Sequence, residues 1–151
     1  MAAASSSYRR RICVLLKTIH RRSKKIMAKT VCKILGLVLL LVGILGFTKV
    51  LDPLGAHLNP AHNAVHLISA AIALYFGFPG SARAARTFCL LFGVVYLLLG
   101  VCGWFLGAGA DHMLNIPTTS PVLMLGKMDH IIHILLGVIF LAGGALGRSD
   151  R

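Results

Sequence analysis

The chain has 151 residues, 57% hydrophobic and 13% charged, with a mean hydropathy of +0.82. A soluble domain carries nearer a quarter charged residues, so this composition excludes an ordinary soluble enzyme and points to one membrane domain. The net charge of +12 invites a nucleic-acid reading. The placement of that charge excludes it, because membrane topology explains where the basic residues fall.

Residues 1–28 read as a basic N-terminal extension. The first 26 are rich in Ser, Ala and Arg and hold no acid; the first acidic residue is Asp52. Three readings stand. The extension has the composition of an organelle transit peptide. It could be a disordered or surface-lying arm whose apolar 12–16 docks on anionic lipid. Or the native start is Met27, since MAKTVCKILGLVLLLVGILGF is a complete short-tailed membrane N-terminus. The third is preferred. A secretory signal is excluded, because the following apolar stretch is too long and lacks a small-x-small cleavage site.

Residues 29–151 form the membrane domain. Four stretches approach or reach the roughly 20 residues that cross a bilayer: 33–51, 60–78, 87–107 and 128–147. The first is Leu/Val-rich with Gly36, Gly43 and Gly46, and Asp52-Pro53 closes it. Glycines spaced by whole turns let helix backbones approach closely in lipid. The second opens on Asn59-Pro60, an N-cap followed by proline at the first helical position. His62, His66, Ala70, Ala73 and Gly77 then line one face, and Pro79-Gly80 ends it.

The third stretch repeats the first. LGLVLLLVGILGF (35–47) set beside FGVVYLLLGVCGW (92–104) puts Gly36 on Gly93, Gly43 on Gly100, Gly46 on Gly103 and Phe47 on Trp104. Their offset is 57, and the second and fourth stretches match at an offset of 67. Asn63-x-x-His66 falls on His130-x-x-His133, and His62 on Asp129. The unit is a two-helix hairpin duplicated in tandem, with copies related by an axis along the membrane normal. The connection 108–127 holds Asp111, His112, Asn115, Pro117, Ser120 and Pro121, with room for a short interfacial turn or helix.

Fourteen of the sixteen Lys/Arg lie in 1–33, between the second and third stretches, or after the fourth; only Lys49 and Lys127 lie opposite. Cytoplasmic segments collect Lys and Arg, so both termini and the middle loop are expected inside. Cys13, Cys32, Cys89 and Cys102 contain no CxxC, so neither a disulfide nor a cysteine metal site is expected.

At GILGF, NPAHNAVH, FGVVYLLLG and DHIIH the chain resembles a prokaryotic family of four-span membrane proteins known as domain of unknown function 4383. The resemblance covers about residues 29–147 and implies the same fold and topology. The family usually has Asn where His130 stands. Its activity is not established, so the resemblance implies no mechanism.

Six histidines fall on the outer side: His57, His62, His66, His112, His130 and His133. Asp52, Asp111 and Asp129 join them. His66 and His133 sit about 9 Å inside their helices at 1.5 Å per residue. Matching positions on matching helices let them face one another. The candidate cluster is His62, Asn63, His66, Asp129, His130 and His133. Such groups can simply pin helices together in lipid. They can also mark an ion path or hold a ligand. Histidine and carboxylate suit zinc or iron, and facing His66 and His133 could ligate a haem.

The expected fold is an all-α integral membrane four-helix bundle of two tandem hairpin repeats. The leading function is a structural or interaction protein of the plasma membrane rather than an enzyme. An organelle membrane is the alternative if residues 1–26 are a transit peptide. Its partners would be the bilayer, a second copy or another membrane protein, and no nucleic acid. The runner-up is a haem- or metal-binding redox or transport component, and the third an ion or proton conduit.

Overall fold

The computed structural model of the chain describes residues 2–48, 50, 51, 53, 58–117 and 123–147. Lys49, Asp52, His57, Ser120, Pro121, Arg148 and Arg151 lie outside the described residues. The fold is mostly helical. The elements are α1 (Ala2–Leu45), α2 (Pro60–Gly77), α3 (Ala82–Leu106), β1 (Leu114–Ile116), β2 (Leu123–Leu125) and α4 (Lys127–Leu146). Among the described residues, three helices are long and apolar enough to cross a membrane: Ile26–Leu45 of α1, all of α3, and α4. α2 has 18 residues, and His62, Asn63 and His66 in its first two turns dilute its apolar character.

Helix ends follow local chemistry. α1 stops at Leu45 rather than reaching 51. Phe47 and Thr48 donate backbone bonds to Ile44 and Leu45 at 3.2 and 2.9 Å, and the Thr48 hydroxyl donates to the Leu45 carbonyl at 2.6 Å. These tight i→i−3 bonds consume carbonyls that a continuing helix would need. α2 starts where the Asn59 side chain accepts from the His62 amide at 2.9 Å. α3 starts at Ala82, five residues earlier than expected, because Ser81 caps it by accepting from the Ala84 amide at 3.1 Å. α4 is capped from inside: the Gly126 amide donates to the Asp129 carboxylate at 2.8 Å.

Residues 2–28, the basic extension, belong to the same helix as the first apolar stretch. The connection 108–127 holds the expected turn at 109–112 and, in addition, a two-stranded antiparallel ribbon, Leu114 opposite Leu125 and Ile116 opposite Leu123. Alternation in Leu-Asn-Ile and Leu-Met-Leu gives each strand one apolar face.

α1 packs antiparallel on α2, and α3 on α4, in the two most extensive contacts. Glycines make both possible. A Cβ on Gly36 would lie 2.9 Å from Leu74, and one on Gly43 2.9 Å from Leu67. In the second pair, a Cβ on Gly93 would lie 2.7 Å from Leu141 and one on Gly100 2.6 Å from Ile134. Between the pairs lies a core of Ala28, Cys32, Leu39, Ala85, Phe88, Cys89, Tyr96 and Phe140. The Cys32 and Cys89 sulfurs are 3.4 Å apart. Cys32 donates to the Ala85 carbonyl at 3.8 Å, and Cys89 to the Ala28 carbonyl at 3.6 Å. Every helix keeps large apolar side chains on its outside, among them Leu41, Ile68, Leu91 and Leu135. Water would disfavour that surface, whereas hydrocarbon accepts it.

Candidate functional site

All six residues of the predicted cluster are buried: His62, Asn63, His66, Asp129, His130 and His133. They do not form one constellation. Three imidazoles converge, and the other three side chains take separate places.

The converging three are His62 and His66 of α2 and His133 of α4. His62 and His66 are one turn apart, hence on one face, with ring centroids 4.4 Å apart. The His133 ring lies 5.8 Å from His62, across the gap between the helix pairs. One nitrogen from each ring can be chosen so that all three lie within 4.8 Å of one another. Among the described residues this is the group that could hold a metal ion. The Nδ1 atoms of His66 and His133 are buried with no hydrogen-bond partner. Tyr96 of α3 closes one side, its ring 5.4 Å from His133.

The other three side chains make contacts of their own. Asp129 caps α4 through the Gly126 amide. Asn63 packs on Gly46, whose missing side chain makes its room. His130 packs on Gly103 in the same way, and its Nε2 is 2.8 Å from the His112 carbonyl oxygen. His112 itself adopts φ 49° and stacks on Trp104 at 4.7 Å. Its Nδ1 lies 2.9 Å from the Trp104 carbonyl. The 108–113 turn is thus folded down onto the ends of α3 and α4, and the Lys127 amide donates to the Asp111 carbonyl at 2.8 Å. His57 and Asp52, expected on this side, lie outside the described residues.

Two features escaped the sequence reading. Cys32 and Cys89 share the offset of 57 that relates the glycines, and that signal would have found them. Tyr96 carries no such signal, because the same offset lands it on Leu39.

The profile of one family, described as Domain of unknown function (DUF4383), matches residues 52–146. No curated protein and no solved structure matches the chain.

Proposed function

The chain belongs to the DUF4383 family, and from that premise we propose a four-span integral membrane protein whose outer-end histidine centre is a binding site. The four-span reading treats α2 as a membrane helix as well. Its support is that α2 runs antiparallel along α1 and turns Val65, Ile68, Ile72 and Tyr75 outward. The duplicated hairpin is supported by contacts that recur at the two offsets. Gly46 on Asn63 corresponds to Gly103 on His130, and Gly43 on Leu67 to Gly100 on Ile134. Phe76 against Phe88, at 5.1 Å between centroids, corresponds to Gly143 against Val31. The reciprocal thiol–carbonyl bonds of Cys32 and Cys89, which stand at the same offset, support an approximate twofold relation between the hairpins.

The observation that carries the binding reading is the pair of buried, unpartnered Nδ1 atoms on His66 and His133. A histidine kept only to pin helices spends at least one ring nitrogen on a hydrogen bond, as the Nε2 of His130 does with the His112 carbonyl. Leaving a buried polar atom unmet costs about 1–3 kcal/mol, which a ligand can recover. The test uses His66→Leu and His133→Leu in chelator-treated protein. Leucine removes the unmet nitrogen at similar bulk, so each variant should keep or raise the melting temperature. Pinning histidines would instead lose about 0.6–2 kcal/mol per interaction. A fall in melting temperature with Leu, but not with Gln, would return the site to a structural or interaction role.

A further inference from the structure

We propose that His62, His66 and His133 bind one divalent first-row transition-metal ion, of the zinc class, through three imidazoles with the fourth position open. This rests on the reading of the histidine end as a binding centre and names its ligand.

Geometry comes first. Two nitrogens held at about 2.1 Å from one tetrahedral ion stand about 3.4 Å apart. The three donor nitrogens here already lie within 4.8 Å of one another, so small ring rotations close the set. The donors sit on two helices of different hairpins, two of them fixed one turn apart on α2. A rigid helical frame suits a site that must hold its geometry.

The chemistry of the donors selects the ion class. Neutral imidazole favours zinc, copper, nickel and iron over magnesium and calcium, which prefer oxygen. No cysteine joins the set: Cys32 and Cys89 are paired with each other and Cys102 is exposed. A divalent ion in a low-dielectric interior needs negative charge nearby. Asp129 is buried one turn before His133 on α4 and supplies it.

Crowding argues for a bare ion rather than haem. A porphyrin ligated by His66 and His133 needs a broad slot between the two rings. His62 stands 4.4 Å from His66 and 5.8 Å from His133, and Tyr96 stands 5.4 Å from His133. A third imidazole and a phenol therefore occupy the space around that axis. Three protein ligands leave one tetrahedral position for water or a small anion.

The test takes the full chain in detergent or nanodiscs, stripped with chelator and titrated with cobalt(II) alone. Cobalt bound tetrahedrally gives visible absorption bands, and zinc should displace it. One equivalent is expected. His62→Gln, His66→Gln and His133→Gln should each weaken binding by at least about a hundredfold, more than loss of an outer-shell partner costs. His130→Gln and the double variant Cys32→Ala/Cys89→Ala should bind as the parent does. Circular dichroism checks that every variant keeps its helix content. Native-like helical protein that takes up neither cobalt nor zinc overturns the proposal. So does cobalt binding that survives in the triple Gln variant. If metal is not taken up while His66→Leu and His133→Leu still keep their melting temperature, the metal assignment falls and the binding-centre reading stands.

Discussion

Gly46 and Gly103 each face a polar side chain of the next helix, Asn63 and His130 respectively. A Cβ on Gly103 would fall against the His130 ring, whose Nε2 is also tied to the His112 carbonyl at 2.8 Å. The ring cannot step aside without breaking that bond. Gly103→Ala is therefore expected to cost about 1–3 kcal/mol, the range for overpacking a filled interior. Cys102→Ala, one residue away on an exposed face, should stay within about 0.5 kcal/mol. Thermal melting of the two variants in one detergent compares them, and equal melting temperatures would refute the packing argument. At this scale the sequence marked His66 and His133 because polar residues recur at one offset in two apolar helices. It could not show that His62, whose match is Asp129, would complete a trio. Which of several polar side chains converge depends on helix rotation of a few tens of degrees, and hydropathy does not encode that.

The start of α2 was legible in Asn59-Pro60, whereas the caps set by Ser81 and by Asp129 reaching back to Gly126 appear only in the structure. The apolar length of the helices was legible from composition alone. The ribbon in 114–125 was not, because three-residue strands leave too short an alternation to read. Nor was the length of α1. Its first half is basic and polar, yet it lacks Pro and Gly, and nothing interrupts the hydrogen-bond ladder before Gly36. Within that half, residues 11–18 are all exposed, including the apolar Ile12, Val14, Leu15 and Leu16. Among the described side chains, the first core residue of α1 is Ala28. A chain starting at Met27 is thus expected to keep every core contact, and Lys29 and Lys33 still mark its start as inside. Membrane yield and melting temperature should match those of the full chain. A shortened chain that fails to accumulate would assign the segment a targeting or insertion role.

Across the whole molecule, basic side chains are bound to one end of the helices as well as concentrated there. The Lys29 ammonium donates to the Phe78 carbonyl at 3.0 Å, and the Arg86 guanidinium to the Gly144 carbonyl at 3.0 Å. Lys29 and Arg86 stand at the offset of 57, so each hairpin neutralises the C-terminal carbonyls of its second helix by the same device. Lys33 adds a cation over the Phe78 ring at 4.8 Å. The opposite end holds the histidines and the folded 108–113 turn, with Lys127 as the described cation there. A charge at the basic end is held by fixed partners, so inverting the molecule would drag anchored cations across the bilayer. The expected orientation has residues 79–86 in the cytoplasm and the 108–113 turn outside. Arg83 and Ala110 are both exposed, so single cysteines at these positions can report it in a background with all four native cysteines changed to Ala. In intact cells an impermeant maleimide should label Ala110→Cys and reach Arg83→Cys only after the membrane is opened. Labelling of Arg83→Cys in intact cells, with Ala110→Cys protected, would invert the topology. The histidine centre would then open to the cytoplasm, and its metal would be drawn from the cell's own pool.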